Sequence, residues 1–322
     1  MVPGNYWRIM SDSKLFEEFL EWRNGRIVDE LVGKEKVGYE FAQPSAVAPA
    51  VIHSAKFQEW AATAKPNSVY RVLVSPDAQL PYEDKEACNA VEQYVADNRF
   101  DEWVDLGDFL DLDFLSRHNK GKARLNAGKM LKAHYEYGRE VLDRRLDCLR
   151  KNNRRATMTL IEGNHDYRVE ALLDEQPEFE GMIEVAEGLG LAERKIQWIL
   201  SWRDGTIYKI GKAAFTHGLY TSTYHARKMV ENYCCNIFYG HVHDVQQFSK
   251  VMHGHDEVVV GQAMGCLCRL DQAYIKQNPK NWQLAFGDFF FRSDGMFTYY
   301  IPRIFDGQFT APSGKTYKGR VK

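Results

Sequence analysis

Acidic, amide and imidazole side chains recur in this sequence directly after short runs of β-branched and aromatic residues. In chain order they are Asp77 and Gln79, Asp108 and Asp111, Asn164 and His165, His217, and then His241 and His243. Carboxylate oxygens, amide oxygens and imidazoles are donors that suit divalent ions such as Mn²⁺, Fe²⁺, Zn²⁺ or Mg²⁺. The donors are numerous enough for two ions that share one carboxylate.

Each of these groups follows a segment that has the pattern of a strand. The strand-like runs are 70–74, 102–106, 157–161, 213–216 and 237–239, and helices are predicted at 84–96 and 126–151. Alternating strands and helices predict an α/β sheet, in which the carboxyl ends of parallel strands lie at one edge. We therefore expect the polar groups to converge there. Asp204-Gly205 predicts a hairpin turn between strands at 198–202 and 207–210.

The order of the motifs resembles the calcineurin-like metallophosphoesterase superfamily. The motifs are Asp77-Ala78-Gln79, Gly107-Asp108-Phe109-Leu110-Asp111, Gly163-Asn164-His165-Asp166, His217-Gly218 and Gly240-His241-Val242-His243. The resemblance covers about residues 68–302. It implies a four-layer α/β/β/α sandwich around two facing sheets, and a hydrolase that acts on phosphoester bonds.

The resemblance also implies a role for each motif residue. One metal ion would be held by Asp77, Gln79, Asp108 and His243, and the other by Asp108, Asn164, His217 and His241, with Asp108 as the bridge. His165 would act as the acid that protonates the leaving oxygen, and Asp111 would hydrogen-bond and orient it. A hydroxide activated by the two ions would attack phosphorus.

Departures from the superfamily pattern bear on the metal and the substrate. Most members have His where this chain has Gln79, and an amide oxygen favours harder ions, so we expect Mn²⁺, with Mg²⁺, Fe²⁺ or Zn²⁺ as alternatives. Protein phosphatases usually carry Arg at the position of Leu112 and Glu at that of Asp166. The form Gly-Asn-His-Asp is common among phosphodiesterases, nucleotide-acting members and nucleases, so both differences disfavour a protein phosphatase. Between a diester and a monoester, the sequence offers only the basic segment that follows the second motif.

A basic segment follows the second motif. Residues 117–155 hold 13 Lys and Arg against four acidic residues. The candidates for contacting substrate are Arg117, His118, Lys120, Lys122 and, eight residues after the fourth motif, His225. A polyanion such as DNA or RNA, or a nucleotide, would be attracted to such a segment. Alternatively, these charges form the solvent-exposed face of a helix and bind no substrate.

The prediction is thus a metal-dependent phosphodiesterase for a nucleic acid or a nucleotide. The alternatives are a phosphomonoesterase or protein phosphatase of the same fold, and a binding module that has lost catalysis. The formal net charge of −2 excludes a uniformly basic nucleic-acid binder, and 44% hydrophobic residues indicate a globular chain.

The first fifth of the chain carries no chemical motif. Apolar spacing predicts an amphipathic helix at 13–32, so residues 1–67 are expected to form a helical extension and residues 68–322 the metallophosphoesterase domain.

The sequence shows neither a secretory signal nor an apolar stretch of the roughly 18–20 residues that a membrane helix needs. The six cysteines show no disulfide framework. We therefore expect a cytoplasmic protein without membrane association. The segment 265–268, Gly-Cys-Leu-Cys, resembles a stretch in phage-encoded members.

Overall fold

The computed structural model describes residues 50–251, 257–272 and 280–320. The strands are β1 (Val51–His53), β2 (Tyr70–Ser75), β3 (Glu102–Asp105), β4 (Thr157–Ile161), β5 (Ile196–Ile199), β6 (Ile207–Ile210), β7 (Ala213–Thr216), β8 (Asn236–Tyr239), β9 (Gln247–Val251), β10 (Val258–Ala263), β11 (Gly287–Phe291), β12 (Phe297–Tyr300), β13 (Gln308–Thr310) and β14 (Thr316–Lys318). The α-helices are α1 (Ala55–Thr63), α2 (Lys85–Asp97), α3 (Ala123–Asn126), α4 (Leu131–Arg150), α5 (Arg168–Glu175), α6 (Val185–Gly188), α7 (Leu191–Arg194), α8 (Ser201–Asp204) and α9 (His225–Tyr233). The helix predicted at 13–32 lies outside the described residues.

The first sheet has six strands in the order β12-β11-β2-β3-β4-β5. Strands β2 to β5 are parallel, whereas β11 runs antiparallel to β2. All four residues of β3 are buried, and five of the six in β2. This is the pattern of parallel strands that are covered on both faces, and it explains their continuous β-branched and aromatic runs.

The second sheet has the order β1-β6-β7-β8-β10-β9, and its strands β7, β8 and β10 are parallel. Between β5 and β6 the chain crosses from the first sheet to the second. The hairpin predicted at Asp204-Gly205 is therefore wrong. Gly205, with φ of +67°, ends helix α8 in the left-handed conformation, which is the other common use of such a glycine.

The two sheets face each other across a shared apolar core. Val74, Val104 and Ile161 enter it from the first sheet, and Phe215 and Phe238 from the second. Helices α2 and α4 cover the outer face of the first sheet, and α9 covers that of the second. The predicted four-layer α/β/β/α sandwich is confirmed.

Helix α4 begins later than its pattern predicts. Gly128 has a φ of +79°, a conformation that a right-handed helix cannot include, so the regular helix starts only at Leu131. Its buried stripe includes Tyr135, Leu142 and Leu149, which pack against the first sheet.

The sandwich also extends further toward the N-terminus than the predicted boundary between residues 67 and 68. Strand β1 pairs in parallel with β6. Ser54 caps helix α1, and Phe57 of that helix enters the core between the sheets. Residues 51–63 are therefore part of the sandwich, because β1 forms backbone hydrogen bonds with β6 and Phe57 of helix α1 is buried in the core.

Candidate metal centre

The candidate metal centre lies at the carboxyl ends of five strands, of which three belong to the first sheet and two to the second. Asp77 and Gln79 follow β2, Asp108 follows β3, Asn164 follows β4, His217 follows β7, and His241 and His243 follow β8. Each strand brings its motif to the same edge of the sandwich. Both sheets therefore supply side chains to one site.

The backbone at this edge is held in conformations that non-glycine residues seldom adopt. The φ angles are +41° at Asp77, +49° at Gln79 and at Asp108, +69° at His241 and +61° at His243. Such conformations cost on the order of 1–3 kcal/mol each and concentrate at functional sites. A Cβ atom at Gly163 would overlap the carboxylate of Asp108, and one at Gly240 would overlap that of Asp77. These glycines let the carboxylates approach the neighbouring loops.

One group of donors surrounds Asn164. Its Oδ1 lies 3.0 Å from His217 Nε2 and 2.7 Å from His241 Nδ1. Asp108 Oδ1 lies 3.4 Å from the same His217 nitrogen. One donor atom from each of Asp108, His217 and His241 lies within 4.8 Å of the others. This is the geometry of a site for a single ion.

A second group surrounds His243. Its Nε2 lies 3.2 Å from Asp77 Oδ1 and 3.3 Å from Gln79 Nε2. Donor atoms of Asp77, Asp108 and His243 again lie within 4.8 Å of one another. Asp108 belongs to both groups, so its carboxylate occupies the position of a bridge between two ions.

The side-chain amide of Gln79 presents its nitrogen to His243, whereas the implied role as a metal ligand requires its oxygen there. Its Oε1 accepts a hydrogen bond of 2.8 Å from Gln272, so the nitrogen faces His243. Ligation by the oxygen requires the amide to turn over and release Gln272. No motif in the sequence indicated Gln272, which lies 193 residues further along the chain.

The donors fit divalent cations. His217 Nδ1 lies 2.9 Å from the carbonyl oxygen of Leu106, to which it donates, so Nε2 is the nitrogen directed at the centre. It faces the oxygens of Asn164 and Asp108, which offer lone pairs to a cation. A cation among them satisfies all three donors at once, and the carbonyl fixes the tautomer as in known metal sites. The mix of oxygen and imidazole donors suits Mn²⁺ and similar ions.

The electrostatics of the centre keep Asp108 and His241 in their ligating forms. Burial raises the pKa of Asp108, but the imidazoles of His165 and His217 outweigh it and hold that pKa below its usual range. Burial, with a further contribution from His217, lowers the pKa of His241 to about 3. At neutral pH Asp108 is therefore a carboxylate and His241 a neutral imidazole, the forms that bind cations. Burial lowers the pKa of His243, but Cys268 and Asp77 outweigh it and hold that pKa well above its usual range, so a cation bound there would displace a proton.

His165 lies beside the centre with its ring partly open to solvent. Its backbone nitrogen donates to Asp108 Oδ1 at 2.8 Å, and its Nε2 is 3.8 Å from Asp108 Oδ2. The side chain has a relative solvent exposure of 13%. The ring can thus reach a group bound over the bridge, as an acid must.

The hydrogen bond implied between Asp111 and His165 is not formed. Asp111 Oδ1 lies 3.6 Å from His165 Nδ1, and within the described part of the chain that nitrogen has no hydrogen-bond partner. Asp111 is instead held by Arg168, which donates to its carbonyl oxygen at 2.6 Å and to its carboxylate at 3.3 Å. The guanidinium draws the carboxylate away from the imidazole.

Asp166 has a positioning role that the sequence did not indicate. Its buried carboxylate accepts hydrogen bonds from the backbone nitrogens of Phe109 (3.3 Å), Leu110 (3.0 Å) and Gly163 (3.0 Å). These residues belong to the second and third motifs. Asp166 therefore ties together the two loops that present Asp108 and Asn164.

The basic candidates lie on an exposed segment. Arg117, His118, Lys120 and Lys122 are all exposed. Lys120 pairs with Glu175 at 2.9 Å, and Lys122 donates to Asn119 at 3.4 Å. The segment is connected to the centre through the preceding loop, in which Asp111 lies.

The prediction that His225 touches substrate is wrong. Its side chain is buried, with Nδ1 2.7 Å from the hydroxyl of Tyr239 and Nε2 3.1 Å from Asp244. Both ring nitrogens are occupied inside the protein. Helix α9 packs against the second sheet and places its first residue against Asp244, which directly follows His243.

Two tryptophans border the centre. The Trp202 ring lies 5.3 Å from that of His241 and 5.8 Å from that of His217. The Trp282 ring lies 4.2 Å from that of His243. Neither tryptophan stands next to one of the metal-ligand motifs in the sequence, so the motifs did not predict their place beside the centre.

Comparison with known proteins finds relatives of low identity. The chain is 26% identical over 230 residues to the gene 54 protein of Mycobacterium phage D29, covering 67% of this chain and 87% of the phage protein. It is 25% identical over 229 residues to the gene 54 protein of Mycobacterium phage L5, with the same coverage. No protein-family model matches the sequence.

Solved structures with a similar arrangement of strands and helices include Vps29 proteins. Wild-type Vps29 of Entamoeba histolytica, solved with Zn²⁺, gives a TM-score of 0.38 at 14% identity and covers 77% of this chain and 97% of its own. Vps29 of Cryptosporidium parvum gives 0.38 at 15% identity, covering 78% of this chain and 95% of its own.

Two further findings bear on the surroundings of the protein. Within the described ranges, no helix combines the length and apolar character needed to cross a membrane. The six cysteines are free thiols. The cytoplasmic location stays a prediction.

Proposed function

We propose that this chain is a metal-dependent phosphoesterase of the calcineurin-like metallophosphoesterase superfamily, and that it hydrolyses phosphodiesters of a nucleic acid or a nucleotide. One observation carries the proposal: Asp108 belongs to two groups of metal donors, which also draw on both sheets. A shared carboxylate between two such groups is the arrangement of enzymes that use two ions for phosphoryl transfer.

The residues that would hold the ions fall into two sets. Asp77, Asp108 and His243, with Gln79 once its amide turns over, form the first set. Asp108, Asn164, His217 and His241 form the second. The oxygen-rich donors favour Mn²⁺. When bound, two such ions neutralise phosphoryl oxygens and activate water for attack on phosphorus.

The chain's own residues supply the rest of the chemistry. His165 lies beside the bridge and is placed to protonate the departing oxygen. Asp111 lies close to its ring and, held by Arg168, contributes negative charge there. The exposed segment with Arg117, His118, Lys120 and Lys122 offers positive charge to the phosphates that flank the bond being cleaved.

The proposal is tested with a substrate panel in the presence of Mn²⁺. The panel contrasts aryl monoesters with aryl diesters, and linear DNA and RNA with cyclic and free nucleotides. We expect diesters to be preferred. A preference for monoesters would instead assign the site to a phosphomonoesterase or protein phosphatase, and turnover of no substrate by metal-loaded protein would favour a binding module.

Asp108→Asn is the decisive variant, because it removes the charge that both groups share. We expect its turnover to fall to background, with Asp271→Asn, an exposed position, as the matched control. Near-wild-type turnover of Asp108→Asn in metal-replete buffer would contradict the proposed function.

A further inference from the structure

A cysteine lies against the side of His243 that faces away from the candidate metal position. Cys268 Sγ is 3.7 Å from His243 Nδ1, within hydrogen-bonding range for sulfur. The other ring nitrogen, Nε2, is 3.2 Å from Asp77 Oδ1. Cys268 has no exposed surface. The imidazole is therefore held between a thiol on one side and a proposed metal ligand on the other.

The backbone fixes where this sulfur lies. The nitrogen of Leu267 donates to the carbonyl oxygens of Pro76 and Asp77, each at 3.1 Å, and its own oxygen accepts from Asp84 at 2.8 Å. The residue before Cys268 is thus bound directly to the loop that presents Asp77. The sulfur and the carboxylate that face the two nitrogens of His243 belong to one rigid unit.

The neighbouring thiol has different partners. Cys266 Sγ lies 3.7 Å from the carbonyl oxygen of Gln283 and 3.9 Å from that of Cys268. It is equally buried and also interacts with the Cys268 side chain, but its own contacts within the described residues do not include a hydrogen bond to His243. Cys266 is therefore a matched control for Cys268.

We propose that Cys268 is a positioning residue for His243: its sulfur accepts the Nδ1 hydrogen and so keeps Nε2 directed at the metal position beside Asp77. The inference rests on the proposed metal centre, although not on hydrolysis of a phosphoester. An imidazole whose second nitrogen is hydrogen-bonded keeps one tautomer and one orientation, and loss of such a partner typically lowers metal affinity by about 10–100-fold.

The donor atoms of His243, Cys266 and Cys268 also lie within 4.8 Å of one another. An ion bound to the two sulfurs is therefore the competing interpretation. It differs from the proposal in an observable way, because sulfur bound to Co²⁺ gives an intense charge-transfer band and sulfur hydrogen-bonded to imidazole does not.

The experiment uses the full chain stripped of metal with a chelator. Mn²⁺ is titrated by calorimetry into wild type, Cys268→Ala, Cys268→Ser and Cys266→Ala, with circular dichroism as the check on folding. We expect Cys268→Ala to weaken one of two Mn²⁺ affinities by about 10–100-fold. Cys268→Ser should restore most of the loss, since its hydroxyl oxygen accepts the same hydrogen, and Cys266→Ala should bind Mn²⁺ like wild type. Wild type loaded with Co²⁺ should show no sulfur charge-transfer band.

Three outcomes would overturn the inference. They are unchanged Mn²⁺ affinity in folded Cys268→Ala, a Co²⁺ charge-transfer band that Cys268→Ser abolishes, and the absence of divalent metal binding by wild type. If Cys268→Ala fails to fold, Cys268→Val, which fills the space of the thiol but accepts no hydrogen bond, replaces it in the titration with the same expected loss of affinity. Metal binding with the expected pattern but no hydrolysis of any ester would refute the proposed function and leave this inference standing.

Discussion

Arg145 donates a hydrogen bond of 2.9 Å to Asp105 Oδ2. The two side chains are buried, with relative solvent exposures of 1% and 0%. Asp105 ends strand β3, and its other oxygen accepts from the backbone nitrogen of Gly107 at 3.2 Å. Gly107 immediately precedes Asp108. Helix α4 therefore anchors the strand end from which the proposed bridging carboxylate projects.

Replacing Arg145 should unfold the protein more readily, because it leaves a buried carboxylate without its counter-charge. We expect Arg145→Met to lower the free energy of unfolding by about 3–5 kcal/mol, as measured by urea denaturation. The matched control is Arg227→Met. Arg227 pairs with Glu231 at 2.9 Å, and the two side chains are 61% and 33% exposed, so its loss should cost about 0–1 kcal/mol. Similar losses for the two variants would refute the role given to Arg145.

His165→Ala should cut the rate of hydrolysis without emptying the metal centre. As the acid, His165 is expected to contribute about 10²–10⁴-fold, and most for substrates whose leaving oxygen is strongly basic. The measurement is kcat for a series of aryl diesters, with Mn²⁺ content determined in parallel. His53→Ala, an exposed position on β1, is the control. Equal losses for good and poor leaving groups would argue against the acid role.

Glu102 should make the stability of the sandwich depend on pH. Its carboxylate lies between the sheets and accepts hydrogen bonds from Ser54 (2.9 Å), Tyr70 (2.8 Å) and Thr159 (3.3 Å). Burial raises the pKa of Glu102 above its usual value, although these hydroxyls and that of Tyr208 lower it in part. The folded chain therefore holds this proton more tightly than the unfolded chain does.

The resulting stabilisation is present below the unfolded pKa of about 4.3 and is lost as the pH rises through the folded value. Glu102→Gln carries no such proton, so its unfolding free energy should rise relative to that of wild type as the pH increases from about 4 to 8. Urea denaturation across that range measures the difference. Glu178→Gln, at an exposed position, supplies the baseline. A difference that does not vary with pH would contradict the prediction.

The basic segment should contribute to binding a polyanion. In Arg117→Gln/Lys122→Gln, the plot of log Kobs against log salt for a single-stranded oligonucleotide should become shallower by about 0.7 per charge removed. Turnover of a small aryl diester should not change. Lys132→Gln/Lys151→Gln removes two exposed charges at the ends of helix α4 and is the matched pair. If both pairs change the salt dependence equally, the charges act as a general field and not as a substrate contact.

Much of this arrangement follows from local sequence patterns. Strand-like runs that end in Asp, Asn or His predicted an α/β sheet and the edge at which Asp77, Asp108 and His217 gather, because parallel strands place their carboxyl ends together. The second, facing sheet was implied by the resemblance alone. Contacts between distant segments could not be predicted in that way. Gln272 reaches Gln79, and Cys268 reaches His243, through loops whose course depends on the packing of the whole sandwich.

The errors have the same origin. An Asp-Gly pair serves a hairpin and a helix end equally well, and only the assignment of β5 and β6 to different sheets decides between them. His225 is close to a motif in sequence, yet helix α9 turns it toward Tyr239 and Asp244. Closeness in sequence to a motif does not determine the direction in which a side chain points.

The origin of the donors in two separate sheets has a consequence for the resistance of the protein to heat. An ion held by Asp108 and His217 cross-links the two halves of the sandwich, so unfolding must release it. Free metal at one hundred times its dissociation constant then adds about 2.7 kcal/mol to the free energy of unfolding. The melting temperature should rise with metal concentration and fall in chelator, so heat resistance reports how full the centre is.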